Sequence, residues 1–378
     1  LDQEMLVFVP VDAPVKLIRL RLRNLSATAR RLTATYYAEW LIGATASVAK
    51  PHITTVYDPA QKAILAQNGW TPEFGGRVAF LSASADPHSV SGDRHDFLGQ
   101  DGDVSSPDAL HRWDLGGRFT PGGDACAAYQ VHIMLDPGAT QDVVFVLGEG
   151  ADHAAAARLI ARWRNPAEIT GAFEDLRAFW DTQLGALQVK TPDPALNLMV
   201  NQWLPYQNLS CRMMARAGFY QAGGAFGFRD QLQDMLGVLH SDPKRVRGHI
   251  LRAARHQFEE GDVLHWWHPP GSQGVRTRCS DDYLWLPYVV ARYIEATDDT
   301  AILSEDLPFL TAPELRADEG DRYERFNRGE TASLLEHCAR AIDRGLRTGA
   351  HGLPLIGSGD WNDGMDRIGA DGKGESVW

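Results

Sequence analysis

The period of the hydrophobic pattern changes near residue 150, and this change limits the possible folds more than any other feature of the chain. Before it, apolar and polar residues alternate. Ile18, Leu20 and Leu22 alternate with Arg19, Arg21 and Arg23. Leu32, Ala34, Tyr36, Ala38 and Trp40 alternate with Thr33, Thr35, Tyr37 and Glu39. Tyr129, Val131, Ile133 and Leu135 alternate with Gln130, His132 and Met134. A period of two gives each strand one buried and one wet face, as in antiparallel sheets. Clusters such as Ser91-Gly92-Asp93 and Pro121-Gly122-Gly123 punctuate the strands. Residues 1–150 therefore read as a β-sandwich.

After that point the pattern is helical. Residues 154–164 are rich in Ala and Arg, and 166–184 place Phe173, Leu176, Phe179 and Trp180 at helical spacing. Residues 151–190 read as a helical linker between two domains. From 191 to 378 the chain is mostly α. Asp193 is an expected N-cap with Pro194 in the first helical position. Leu196, Met199, Val200, Trp203 and Tyr206 then share a face. A further helix is expected over 333–348, with Leu334, Leu335, Cys338, Ala339, Ile342 and Leu346 on the 3.6 period. Helices in series, joined by loops rich in Trp, Asp, Arg and Gly, fit an α/α toroid with its site on the loop face.

Composition removes several function classes. The 378 residues carry 37 Lys+Arg against 49 Asp+Glu, a net charge of -12, and no basic tract. Nucleic acid is excluded as a partner, because binding it needs clustered cations. No apolar run approaches the ~18 residues of a membrane span. Nothing at the N-terminus reads as a signal peptide, and Cys126, Cys211, Cys279 and Cys338 form no metal-type spacing. A reducing, cytoplasmic setting without a metal site is expected. The 11 Trp residues suit sugar-stacking platforms or a Trp-rich core equally well. Residue 1 is Leu, and residues 372–378 bring no closing helix, so a fragment is expected.

Three clusters concentrate chemistry. The first, Gly227-Phe228-Arg229-Asp230-Gln231-Leu232-Gln233-Asp234, follows Tyr220-Gln221-Ala222-Gly223-Gly224. It offers the paired donors and acceptors that hydroxyl-rich ligands need, although Arg229 could equally form a structural pair with Asp230 or Asp234. The second runs from Glu260 through His265-Trp266-Trp267-His268-Pro269-Pro270 to Arg276-Thr277-Arg278-Cys279-Ser280-Asp281-Asp282. It is a loop carrying aromatics and both signs of charge, the kind that binds or catalyses; pinning by Arg–Asp pairs is the alternative. His265 and His268 have no partner spacing that supports a metal pair. The third is Gly359-Asp360-Trp361-Asn362-Asp363-Gly364-Met365. A carboxyl beside an indole can be kept protonated by desolvation, which suits a general acid. Asp363 is read that way; Asp360 fits an Asx-turn as well as it fits catalysis.

One acid is informative. Inverting hydrolysis uses a second carboxylate to activate water, whereas anionic inorganic phosphate attacks without a base and needs cationic or N–H donors. A lone acid beside Arg-bearing loops is compatible with an inverting phosphorylase.

These runs, together with Ser91-Gly92-Asp93-Arg94-His95-Asp96-Phe97-Leu98-Gly99, resemble glycoside hydrolase family 94, formerly grouped as glycosyltransferase family 36. The nearest pattern within it is the phosphorylase-like C-terminal region of cyclic β-1,2-glucan synthases. The resemblance covers nearly the whole chain. It implies a multidomain β-then-α architecture: an N-terminal antiparallel β-sandwich, a helical linker and an (α/α)6 barrel, here truncated at its C-terminal side. It implies Asp363 as general acid, Arg229, Asp234 and Trp361 at the sugar, and Arg276, Arg278 and Asp282 shaping the site loop.

The implied activity is inverting phosphorolysis of β-glucosides, β-1,2-glucan above all, to α-glucose 1-phosphate, with a role in glucan chain length. No cofactor is implied; inorganic phosphate is the co-substrate. The implied partners are a β-glucan or β-linked disaccharide and either a homodimer mate or a larger synthase chain, at the cytoplasmic side of the inner membrane in the latter case. A stand-alone cellobiose- or chitobiose-type phosphorylase and a non-catalytic carbohydrate-binding module are the rival readings. The family's phosphate-gripping loops fall beyond Trp378, so these residues alone are expected to be inactive.

Overall fold

The structure is a computed structural model that describes residues 1–43, 45–71, 74–100, 102–214, 224–269, 273–316 and 318–377. The 220–223 part of the first cluster and Pro270 of the second lie outside the described residues. The chain divides into two compact units, Leu1–Trp180 and Asp181–Trp378.

The described residues of the first unit form nine antiparallel strands: β1 (Asp2–Phe8), β2 (Val15–Arg23), β3 (Arg30–Glu39), β4 (Ile53–Asp58), β5 (Ala63–Asn68), β6 (Val78–Ala83), β7 (Ser89–Asp93), β8 (Ala125–Leu135) and β9 (Thr140–Gly150). They form a six-stranded sheet, β1-β2-β9-β6-β5-β4, and a three-stranded sheet, β3-β8-β7. One core cluster joins inner faces of both sheets: Ile18, Leu22, Ile64, Leu81, Val143 and Phe145 meet Ala34, Tyr129, Val131 and Ile133. These include residues that the alternating pattern assigned to buried faces.

The large sheet is covered on its other face too. Leu17, Leu65, Phe80, Val144 and Val146 pack with Ala156, Ile160 and Trp163 of α1 (His153–Trp163) and Ile169 of α2 (Pro166–Gly185). Asp152 caps α1 by accepting from the Ala155 N–H. The helices at the start of the expected linker thus form a layer of the first unit. The Ser91–Gly99 motif is bonded within itself and to its surroundings. Asp93 caps the helix Arg94–Leu98 and accepts from the Thr120 hydroxyl, and Ser91 Oγ donates to Asp96 at 2.8 Å.

In the second unit Asp193 is the expected N-cap, accepting from the Ala195 and Leu196 N–H groups. The helix after it is not uniformly α: Met199–Trp203 and Asn208–Met214 are wound as π-helix. Leu196, Met199, Trp203 and Tyr206 are exposed, not buried on one face. Four regular helices follow among the described residues: α3 (Phe228–Leu236), α4 (Pro243–Ala254), α5 (Trp285–Thr297) and α6 (Leu334–Gly345). The first three pack on one another, and α6 packs on α5.

Ser333 caps α6 by accepting from the Glu336 N–H. Its buried face is Leu334, His337, Cys338 and Ala341, while the expected core residues Leu335, Ile342 and Leu346 are exposed. His337 takes the buried slot because Gln257 and the Leu307 carbonyl meet its two ring nitrogens and Phe309 stacks on it at 3.7 Å. The remaining strands are β10 (Phe226–Gly227), β11 (Leu264–His268), β12 (Gln273–Arg276), β13 (Asp306–Thr311), β14 (Arg322–Arg325) and β15 (Asn327–Ser333). They pair as a β10-β11-β12-β14 sheet and a β13-β15 ribbon. No helix among the described residues is long and apolar enough to cross a membrane.

Candidate active site

The three chemical clusters converge in the second unit. β10 runs directly into α3, which places Arg229 in the first helical turn, 6% exposed. Its Nη1 donates to both Asp281 carboxylate oxygens at 3.3 Å and to the Asp360 carbonyl at 3.1 Å. Its Nη2 donates to the two Asp363 oxygens at 2.9 and 3.1 Å. Asp230 lies 3.5 Å from Nε. One guanidinium therefore ties together groups from all three clusters.

Backbone bonds dock the second and third clusters on each other. The Ser358 N–H donates to the Arg278 carbonyl at 3.1 Å, and the Ser280 N–H to the Gly359 carbonyl at 2.9 Å. The Arg278 N–H donates to Ser358 Oγ at 3.1 Å. This lacing requires glycine at 357, where φ is +63° and a Cβ would stand 1.8 Å from the Arg278 carbonyl oxygen. Asp360 accepts from the Asn362 N–H at 2.9 Å and the Ser376 hydroxyl at 2.7 Å, an Asx-turn that holds the loop. Asn362 accepts from the Gly364 N–H at 3.0 Å and caps the turn Asp363–Met365. Asp363 is presented from that turn, its side chain 58% exposed. It lines a cavity of about 1020 Å³ shared with His265, Arg278, Cys279 and Ser358.

The expected residues fall into different settings. Trp361 and Asp363 take separate partners. The indole is exposed and donates to Gln233 Oε1 at 3.1 Å, while the Asp363 carboxylate is held by Arg229. Asp234 pairs with Arg212 at 2.8 Å. Arg278 lines the cavity and donates to the Leu315 and Arg316 carbonyls.

Arg276 is not placed to touch a sugar. It is fully buried over the Phe258 ring, and its donors go to Asp262 at 2.7 and 2.8 Å, Glu260 at 2.8 Å and the Ala312 and Pro313 carbonyls at 3.1 Å. A guanidinium has five N–H groups, and these acceptors occupy them, so Arg276 anchors the loop. Asp282 is buried, with Oδ2 2.7 Å from His265 Nδ1. His268 is paired elsewhere, with the Tyr323 hydroxyl at 3.3 Å.

Sequence reasoning did not single out Asp281, and it set His265 aside. The adjacent acids Asp281-Asp282 were a visible signal, but their burial was not. Burial and the neighbouring Asp282 push Asp281 up to about 6, against the pull of Arg229 and of the Trp285 N–H. Burial pushes Asp282 upward as well. Burial would lower His265, but the bond to Asp282 outweighs it and the net shift is upward. Arg229 behaves alike: burial lowers it, and Asp281 and Asp363 raise it further. The Cys279 thiol is pushed up to about 12, by burial first and by Asp282 next. The arrangement offers an accessible carboxyl on a cavity wall, a buried cation that grips it, and a buried acid pair behind that cation.

Comparison with known proteins places this geometry in a family. Residues 1–166 match the glycosyl hydrolase 94 supersandwich domain, and residues 179–378 match the glycosyl hydrolase 94 superfamily catalytic domain. The cyclic β-(1,2)-glucan synthase NdvB of Rhizobium meliloti is 44% identical over 97% of this chain, which spans 13% of that protein. An N,N'-diacetylchitobiose phosphorylase of Vibrio proteolyticus is 26% identical over 98% of this chain and 47% of its own length. A solabiose phosphorylase of Paenibacillus borealis is 28% identical over 98% of this chain and 45% of its own length. The chain therefore spans about half or less of each of these relatives. With an antiparallel sandwich ahead of a helical unit in the chain, and family models matched over residues 1–166 and 179–378, the chain belongs to glycoside hydrolase family 94.

Proposed function

We propose that this region carries out inverting phosphorolysis, and its reverse, of β-glucosides, with β-1,2-glucan as the substrate class. The observation that carries the reading is the Arg229 bridge, which holds Asp363 at 2.9 Å on the wall of the cavity. In the proposed reaction Asp363 donates a proton to the glycosidic oxygen while phosphate attacks the anomeric carbon from the opposite face, giving α-glucose 1-phosphate and a glucan shortened by one unit. Phosphate brings its own negative charge, so no second carboxylate is needed as base. Both Asp363 oxygens accept from Arg229 in this structure, so the pair must open before the acid can work. Sugar hydroxyls can replace Asp363 as acceptors for Nη2, which couples substrate binding to release of the acid.

The reading includes Asp234, Trp361 and Arg278 as substrate contacts and an (α/α)6 catalytic barrel. The β-1,2 linkage is supported by the relative named a cyclic β-(1,2)-glucan synthase. The test is a panel of β-linked glucans and disaccharides incubated with phosphate and the full polypeptide that carries these residues, read as sugar 1-phosphate. The expected result is release from β-1,2-glucan above the other linkages. Release only from a disaccharide would favour the stand-alone phosphorylase reading, and binding without release would favour the non-catalytic one.

A further inference from the structure

We propose that His265, Cys279 and Asp282 form a binding site for a borderline-soft divalent cation of the zinc class, opening onto the cavity beside Asp363. Each residue offers one ligand atom, an imidazole nitrogen, a sulfur and a carboxylate oxygen, and the three lie within 4.8 Å of one another. Zinc bonds to such donors are ~2.0–2.3 Å long, so tetrahedral geometry sets the donors roughly 3.3–3.7 Å apart. A separation at that 4.8 Å bound closes by about 1 Å to reach this geometry, within reach of small side-chain rotations. His265 Nδ1 and Asp282 Oδ2 are hydrogen-bonded at 2.7 Å; to bind one cation together they must part by about 0.6 Å and release the shared proton.

A second observation points to a ligand. Asp282 is 2% exposed, yet its Oδ1 has no hydrogen-bond partner among the described residues. A buried carboxylate oxygen without a donor is costly, and a bound cation would satisfy it.

The donor set selects the metal. Nitrogen, sulfur and oxygen together suit zinc and disfavour magnesium and calcium, which take oxygen alone. Three protein ligands leave a fourth position, and His265 and Cys279 both line the cavity, so that position faces the space Asp363 also lines. Asp281 adds a further buried acid next to Asp282, and the Arg229 cation paired with Asp281 offsets part of that charge. Binding exchanges the thiol proton for the metal and releases it to solvent. An occupied site would put a cation on the cavity that Asp363 also lines. The binding claim stands apart from the proposed reaction and is read without it.

Cobalt(II) is the probe, because a cobalt–thiolate bond gives a charge-transfer absorption that nitrogen and oxygen ligands do not. Metal-free full-length protein titrated with cobalt should develop this band at one equivalent, and zinc should bleach it. Cys279→Ser should abolish the band, while Cys211→Ser, at an exposed position, should keep it. Should Cys279→Ser fail to fold, His265→Gln replaces it and should weaken or abolish the band at one equivalent. No band at one equivalent, a band that survives in Cys279→Ser, or a band unchanged in His265→Gln would each overturn the proposal.

Discussion

Replacing Asp281 by asparagine should stabilise the second unit at neutral pH and slow turnover at the same time. Asp281 is fully buried and sits between Arg229, at 3.3 Å, and the Trp285 N–H, at 3.2 Å. Asparagine keeps an acceptor for both donors and removes the charge. The size of the effect follows from the carboxyl's shift from 3.8 to about 6. Each pKa unit is worth ~1.4 kcal/mol, so the ionised form is less favourable in the fold than in the unfolded chain by ~3 kcal/mol.

The sign is that of a raised carboxyl. Its contribution to stability is fully present below the unfolded pKa of 3.8 and is lost as pH rises through about 6. Asparagine is neutral throughout, so its advantage should approach ~3 kcal/mol at pH 8 and vanish near pH 4. In a unit of this size that is about 6–12 °C of melting temperature. Turnover should fall on the order of 10–100-fold, because Arg229 loses the buried acid that positions it and Asp363 becomes its main counter-charge. Differential scanning calorimetry of both proteins at the two pH values, beside initial rates, is the assay. A melting temperature lowered equally at both pH values would show that the Asp281–Arg229 pair is a net source of stability, and the reasoning would fail.

Arg276→Met should cost ~3–5 kcal/mol in a denaturant melt by stranding Asp262 and Glu260, with sugar affinity unchanged in the protein that still folds. Gly357→Ala should cost at least ~1–3 kcal/mol from backbone strain alone and separate the two site loops, seen as a lower melting temperature and lost turnover together. Asp234→Ala removes a pair with a half-exposed arginine, worth under ~1 kcal/mol; a raised KM at an unchanged melting temperature would mark Asp234 as a sugar contact.

The sandwich was legible where strands have one wet face. Ile18, Leu22, Ala34, Tyr129, Val131 and Ile133 alternate in the chain and meet in one core. It was less legible in β5 and β9, whose Ala63-Ile64-Leu65-Ala66 and Val143-Val144-Phe145-Val146 runs are apolar throughout. There α1 and α2 cover the outer face of the sheet, so both faces of these strands are buried and no alternation survives. In α6 the start of the helix near residue 333 was readable, but which apolar stripe faces inward was not. His337 has its partners on β13 and at Gln257, far away in sequence. The site shows the same division. Arg229 and Asp363 stand out as chemistry within their motifs. Their mutual contact spans 134 residues, and the buried acid behind Arg229 lies in a third segment, so the motifs could not reveal that the proposed acid is held by a cation.

The most direct test of the central claim is the rate of glucose 1-phosphate release from β-1,2-glucan and phosphate by the full polypeptide, wild type against Asp363→Asn. Asparagine keeps an acceptor for Arg229 and cannot supply the proton. The account predicts a rate lower by ~10²–10⁴-fold with the melting temperature nearly unchanged. Release within a few-fold of wild type would contradict it, because the protonation of the glycosidic oxygen would then come from another group.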